Sequence, residues 1–348
     1  MIDGATEATL ERLIDRIDYF RRSPARAGGR GSFKEWMHFC VYSDSLDLLV
    51  NFSEVDDPRR GPAGSVGRMT VLARTDRWRG GVEEIAGEAL RVEGGKVAAR
   101  FGDSSVRFEG GRYHVRVALA DHSIAAELTL RPITTPAPIH NVSVGDGPPI
   151  HWIVIPRLLT SGTVTLNGRV HHLHDAPAYH DHNWGHFGWG RDFAWEWGFG
   201  LPIDPNHPWS FVFARLSNRG RTRTRMQTLF LWRGAHAACA FRDAQIEVRH
   251  HGLLRAARLH KVPPVMSLLS PGGACDVPAR MEISARNGED SVHVEFTPSD
   301  VAQVIIPNDD DLGVTIINEV AGRFALDAEI RGEPVRIRCP SIFEFLGD

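Results

Sequence analysis

The stretch from Tyr179 to Trp197 concentrates the side chains that could do chemistry. It reads Tyr179-His180-Asp181-His182-Asn183-Trp184-Gly185-His186, and Phe193-Ala194-Trp195-Glu196-Trp197-Gly198-Phe199-Gly200 follows. Eight of the 17 histidines lie between His140 and His186, and six of the nine tryptophans between Trp152 and Trp209, so the proton-handling and the aromatic enrichments coincide. Large aromatics gather where apolar area is buried or a ligand is stacked. A carboxyl placed among them has its charged form disfavoured, which suits a proton donor. Asp181 is the candidate acid. If the chain is extended there, Tyr179 and Asn183 share its face, and His180 and His182 point the other way. The plainer alternative is a turn-capping aspartate, because Asp-X-Asn segments often bond backbone amides.

The run after it alternates strictly. Phe193, Trp195, Trp197 and Phe199 point one way; Ala194, Glu196 and Gly198 point the other. The aromatic face could be barrel core or a ligand-stacking surface. Glu196 is harder to place, since carboxylates are seldom buried unpaired. It requires solvent, a polar pocket, or a cation such as Arg191 or Arg215. The histidines also admit a metal reading, since imidazole ligates zinc and iron. No HExxH or two-His-one-carboxylate spacing supports it, so no metal is expected. Phosphate-loop, nucleophile-elbow and dinucleotide fingerprints are absent too, so no cofactor is expected.

The elements that must position these residues are strands. Tyr113, Val115, Val117 and Leu119 alternate with polar neighbours, as do Ile124, Ala126, Leu128 and Leu130. Gly94-Gly95, Gly110-Gly111, Asn167-Gly168, Asn287-Gly288 and Arg331-Gly332 mark turns between such runs. In the second half, strands are expected at Ser210–Leu216, Gln227–Trp232, Met281–Ala285, Val292–Phe296 and Val335–Arg338. Helical spacing is confined to residues 6–22, where Leu10, Leu13, Ile14, Ile17 and Phe20 would share a face. Gly28 to Gly31 reads as a flexible joint after it, and Leu253 to Leu259 could form a short helical turn. The fold class expected is therefore all-β: two antiparallel barrel or sandwich domains behind a short N-terminal helix.

The bulk properties narrow the partners. The chain has 348 residues, 42% of them hydrophobic, and 40 basic against 43 acidic residues for a net charge of -3. That length suits two domains, and the charge balance argues against nucleic acid as the partner. Arg219, Arg221, Arg223 and Arg225 are the one basic run, read as a solvated hairpin turn. Four scattered cysteines with no CxxC pair argue against a structural zinc or a disulfide framework. The acidic start lacks the apolar core of a signal peptide, and no apolar run approaches the ~20 residues of a membrane span. A cytoplasmic protein is expected.

Tyr179-His180-Asp181-His182-Asn183-Trp184-Gly185, with Trp195-Glu196-Trp197-Gly198 after it, resembles the signature of the carotenoid 1,2-hydratases, or hydroxyneurosporene synthases. These belong to an AttH-like, two-domain lipocalin-like superfamily that includes kievitone-hydratase-like proteins and lipocalin-like Diels–Alderases. His151-Trp152 and the Gly162–Gly168 strand and turn sit where that family keeps similar elements. Glu35-Trp36 resembles its early Glu-Trp-Trp element, with Met37 in place of the second Trp. The resemblance is weak over most of the chain and specific across about 150–200. In that family the motif closes the first lipocalin-like domain. The implied division is a helix and joint at 1–30, one lipocalin-like domain at 31–190 and a second at 191–348.

The resemblance implies an enzyme that protonates a C=C bond and captures the cation with water. Asp181 would be the acid, Tyr179 and His151 would orient water or substrate, and Glu196 would be the next acid to consider. Trp152, His182, Asn183, Trp184, Trp195 and Trp197 would bind an apolar isoprenoid, terpenoid or polyketide-like substrate in a pocket at the domain junction. Peripheral membrane contact would serve substrate pickup. Two other readings stay open: a non-catalytic lipid or isoprenoid carrier, and a pericyclic cyclase.

Overall fold

Period-two alternation becomes strand almost throughout. The computed structural model describes residues 4–21, 33–56, 65–119, 124–143, 149–190, 193–255, 259–270, 276–309 and 311–347. The expected joint at Gly28 to Gly31, Arg191, and part of the expected turn at Leu253 to Leu259 lie outside them. Two units divide the chain, Met1–Gly188 and Trp189–Asp348.

Unit 1 starts with helix α1 (Gly4–Ile17). Its strands are β1 (Phe33–Tyr42), β2 (Asp47–Asp56), β3 (Ser65–Arg74), β4 (Trp78–Ile85), β5 (Leu90–Val92), β6 (Ala98–Phe101), β7 (Ser104–Glu109), β8 (Arg112–Leu119), β9 (Ile124–Pro132), β10 (Ala137–Ser143), β11 (Pro149–Leu166) and β12 (Arg169–His186). They form one sheet in the order β4-β3-β2-β1-β12-β11-β9-β8-β7-β6-β5, with β10 beside β11. The sheet curls around one core. Met37 and Phe39 of β1, Val71 of β3, Phe101 of β6, Val115 of β8 and Ala178 of β12 all join it. A Cβ on Gly67 of β3 would lie 2.6 Å from Leu90 and 2.8 Å from Phe101, so the two ends of the strand path approach each other.

Helix α1 is shorter than its sequence pattern. It stops at Ile17; Leu10 and Ile14 are buried, whereas Leu13 is 36% exposed. Phe20 is buried beyond the helix end, so the apolar series 10–20 continues as packing and not as helix. Glu35 and Trp36 lie inside β1.

Unit 2 contains β13 (Ala194–Gly200), β14 (Trp209–Ser217), β15 (Thr224–Arg233), β16 (His236–Arg242), β17 (Ile246–Leu253), β18 (Leu259–Val262), β19 (Pro278–Asn287), β20 (Asp290–Pro307), β21 (Val314–Ile330) and β22 (Glu333–Gly347). Their order is β16-β15-β14-β13-β22-β21-β20-β19-β17, with β18 parallel to β20. A second core fills this unit, with Phe211, Phe213, Leu229, Val294, Phe324 and Phe343 among its members. The architecture is all-β, with two lipocalin-like domains and one α-helix among the described residues. No helix among them is long and apolar enough to cross a membrane.

Two turns fix the register that matters below. Asn167 and Gly168 link β11 to β12 with φ of 50° and 79°, and Arg331 and Gly332 link β21 to β22 with φ of 54° and 76°. Two-residue loops with both φ positive match strand twist, and glycine takes such angles without steric cost.

Candidate active site

Directly opposed residues in an antiparallel ladder share a sheet face. In unit 1 the core takes Met37, Phe39 and Val41 of β1 and Ala178 of β12. Even-numbered residues at the centre of β12 therefore point inward, and Tyr179, Asp181 and Asn183 point to the other face. That other face is also buried: Tyr179, Asp181 and Asn183 are 0%, 3% and 1% exposed. Tyr179 donates its hydroxyl to Asp181 Oδ2 at 3.0 Å, and Asn183 Nδ2 donates to Oδ1 at 2.7 Å. Asp181 thus sits mid-strand between two neutral side-chain donors and caps no turn.

The cross-strand register completes the surface. Asp181 opposes His38 on β1 and Val154 on β11. Asn183 opposes Trp36 and Trp152, which puts two indoles on the Asp181 face. Among the described residues, two buried polar atoms here have no hydrogen-bond partner: Trp152 Nε1, a donor, and Asn183 Oδ1, an acceptor. Buried polar groups are rarely left so. A hydroxyl or a water would satisfy both.

Sequence reasoning missed His38. Asn51 Nδ2 lies 3.3 Å from His38 Nδ1, and His38 Nε2 lies 3.0 Å from Cys40 Sγ. Burial and the nearby charge of His180 pull its pKa down to about 3, so it is a neutral imidazole. The signal that could have found it was alternation, since Trp36, His38 and Cys40 form one face of β1. What sequence lacked was the register joining that face to Asp181.

His151 is a correction. It opposes Trp184, with ring centroids 5.3 Å apart and stacked. It therefore shares a face with Trp184 and His182, not with Asp181, and is not placed to orient water at that carboxyl. Trp184 is covered by the Arg21 guanidinium, 3.3 Å from its ring centroid. His182 and Trp184, expected to bind substrate, face the opposite side of the sheet from Asp181.

The inward face carries a separate ionic cluster. His182 Nδ1 meets Asp18 Oδ1 at 2.7 Å, and its Nε2 meets Glu35 Oε1 at 2.9 Å. His180 Nε2 meets Asp18 Oδ2 at 2.9 Å, while its Nδ1 lies 2.9 Å from the His38 carbonyl. A carbonyl only accepts, so Nδ1 of His180 donates. Tyr113 donates its hydroxyl to Asp18 as well. Burial alone would push the Asp18 carboxyl up; the charges and hydrogen bonds of His180 and His182 outweigh it and hold it well below the usual carboxylate range. Burial pulls His182 down, but its bonds to Asp18 and Glu35 raise it above 6.5. Burial and the Asp18 charge push Tyr113 well above 10. The cluster pins the end of α1 into the barrel through side chains 162 and 164 positions apart. The histidine-rich stretch therefore does not act as one group: His180 and His182 bind carboxylates, His171 lies 3.3 Å from Ser45, and His172 and His174 are solvent-facing.

Unit 2 divides the second motif by face too. Glu196 opposes Arg215 and Phe345, and Gly198 opposes Phe213 and Phe343, so Glu196 points to the core side. Arg215 Nη1 lies 3.0 Å from Glu196 Oε2; Arg221 Nε and His250 Nε2 lie 3.0 and 2.9 Å from Oε1. Burial would raise the Glu196 carboxyl, but His250, Arg215 and Arg221 lower it below 4.5. Glu196, expected as the next acid, is held as a carboxylate by its cations, which is the wrong form for a proton donor at neutral pH. The arginine run is a hairpin turn between β14 and β15, yet Arg221 folds back from it to reach Glu196 and Asp276. Trp195 and Trp197 lie on the opposite face from Glu196, only 5% and 2% exposed. Gly198 is required beneath Phe343, since a Cβ there would sit 2.4 Å from the ring.

No family model and no curated protein sequence matches the chain. Its fold is nonetheless shared with solved structures. An AttH candidate of Nitrosomonas europaea superposes with a TM-score of 0.65 at 13% identity, over 94% of this chain and 99% of that one. Kievitone hydratase of Nectria haematococca gives 0.55 at 13% identity, over 94% and 93%. CghA gives 0.59 at 11% identity, over 91% and 88%. The class is thus the two-domain, lipocalin-like all-β fold of these proteins, over nearly the full length of each. At such identities the likeness is one of fold, and what the protein does has to be argued from the site.

Proposed function

We propose that the protein is an enzyme that hydrates, dehydrates or cyclises an apolar substrate of isoprenoid, terpenoid or polyketide type by proton transfer at a C=C bond. The observation that carries this reading is the burial of Asp181, 3% exposed, which disfavours its charged form, beside an unfilled donor on Trp152 and an unfilled acceptor on Asn183; the bonds from Tyr179 and Asn183 orient the carboxyl and act against burial. A lipid carrier gains nothing from such an arrangement. The fold shared with a hydratase supports the reading.

Asp181 gives its proton to the alkene carbon, and the cation forms against the faces of Trp36 and Trp152, which attract positive charge. Trp152 Nε1–H and Asn183 Oδ1 position the water that captures it, and the proton this water sheds returns to the Asp181 carboxylate. Neutral His38, opposite Asp181, takes the neighbouring place that His151 was expected to fill. Dehydration runs the same steps backwards. Trp195 and Trp197 offer apolar faces for substrate contact on their own sheet of unit 2.

The test is incubation with a panel of acyclic isoprenoid polyenes and their tertiary alcohols in H2(18)O, followed by mass spectrometry. Gain of labelled hydroxyl, or loss of water from the alcohols, is expected. Stoichiometric binding of the panel with no chemical change would replace the enzyme reading with the carrier.

A further inference from the structure

Unit 2 holds a carboxyl pair that the reaction above does not use. Glu344 on β22 opposes Trp197 on β13 and Glu319 on β21. The register extends this into one row, Ala214–Trp197–Glu344–Glu319–Ala302. All five side chains therefore share the face away from the unit 2 core, the face that also carries Trp195. Glu319 is 3% exposed and Glu344 partly buried. A carboxylate oxygen of each lies within 4.8 Å of the other's. Trp195 donates its indole N–H to Glu344 Oε1.

Two buried carboxyls this close constrain each other's protonation. As carboxylates they offer each other only acceptors, so a direct bond forms only when one of them holds a proton. Like charges facing each other in a buried site cannot both ionise cheaply. Trp195 fills one acceptor position of Glu344. Burial pushes Glu344 up to about 7, although its bonds to Glu319 and Trp195 pull the other way. The setting differs from that of Glu196, which lies against the guanidinium groups of Arg215 and Arg221 and the His250 ring. One face of the unit carries an ion cluster; the other carries two close carboxyls beside two indoles.

We propose that Glu344 is a second proton donor of this protein, sharing its proton with Glu319 and delivering it to a C=C bond or a departing hydroxyl of an apolar substrate laid against Trp195 and Trp197. In the hydration direction the π pair of the alkene takes the Glu344 proton and becomes a C–H bond. Water adds through oxygen to the cation so formed, and the proton it sheds returns to the carboxylate. In reverse, Glu344 protonates the hydroxyl, the C–O pair leaves with water, and the proton lost from the adjacent carbon restores the acid. The inference rests on the acid-catalysed reading above and adds a carboxyl to it.

Two measurements test it. Carbon-13 NMR of protein labelled at glutamate Cδ reads protonation directly. One resonance should stay neutral up to about pH 7, vanish in Glu344→Gln, and titrate higher still in Trp195→Phe, which removes a bond to the charged form. No glutamate titrating above the ordinary range, or a raised resonance that survives Glu344→Gln, overturns the proposal. The second measurement is deuterium uptake from D2O into squalene, an acyclic isoprenoid polyene, and into the panel above. Asp181→Asn should leave a residual uptake, and adding Glu344→Gln should reduce that residue by about 10²–10⁴-fold, with folding checked by tryptophan fluorescence. Uptake unchanged in Glu344→Gln but lost in Asp181→Asn overturns the role of Glu344 and leaves the acid-catalysed reading standing. No uptake by the wild-type protein overturns both.

Discussion

Asp18 should be the single most costly carboxylate to neutralise in unit 1. It is fully buried and accepts from His180, His182 and Tyr113. Asp18→Asn keeps the volume and removes the charge that these imidazoles face. Breaking a buried ion pair by removing one partner costs about 3–5 kcal/mol, because the other charge stays buried. In a unit of this size about 1 kcal/mol moves the melting temperature by ~2–4 °C. The expected loss is therefore ~6–20 °C, measured by thermal and urea denaturation with circular dichroism. The pH dependence carries its own signature. Asp18 is depressed in the fold, so its contribution is present above the unfolded value of 3.8 and fades as pH falls below it. His182 is raised, so its contribution is complete below the unfolded value of 6.5 and is lost as pH rises through the folded one. The wild type should therefore lose stability on going from pH 6 to alkaline conditions, and Asp18→Asn should flatten that decline. A loss under about 1 kcal/mol, or an unchanged pH profile, would refute the view that this cluster anchors the helix end to the barrel.

Three further outcomes follow from the same geometry. Asp181→Asn should lower turnover by about 10²–10⁴-fold while binding is retained; near-normal turnover in a steady-state assay removes Asp181 from the chemistry. Gly198→Ala puts a Cβ 2.4 Å from the Phe343 ring and should cost about 1–3 kcal/mol of unit 2 stability through overpacking, read by urea denaturation. Glu196→Gln leaves Arg215 and Arg221 without their shared carboxylate and should destabilise unit 2 by about 3–5 kcal/mol; retained stability in the same assay would show that solvent, not Glu196, compensates those cations.

Local pattern was enough to establish several things. Period-two alternation gives strands, because successive side chains in an extended chain must point to opposite faces. The same rule separates Tyr179, Asp181 and Asn183 from His180 and His182, and Trp195 and Trp197 from Glu196. Asn167-Gly168 and Arg331-Gly332 announce hairpins because few residues accept positive φ. The helix boundary was less legible: the apolar spacing ran on to Phe20, which packs without being helical.

Which face is core, and what meets what across strands, came only with the tertiary structure. Alternation says that Asp181 and His182 diverge; it does not say which of them looks inward. His151 was assigned to Asp181 by proximity in a motif, but the register of β11 on β12 sets it against Trp184. Asp18 and Glu35, partners of His182, come from 164 and 147 positions away. Glu344 is isolated in sequence and gains a raised pKa only from burial beside a paired Glu319. Glu196 stands in a run of aromatics that suggests a hidden acid, and two distant arginines together with His250 lower its pKa instead. The physical reason is common to all of these. Strand formation is decided by neighbours in the chain, whereas protonation state and hydrogen bonding are decided by neighbours in space, which sheet register alone brings together.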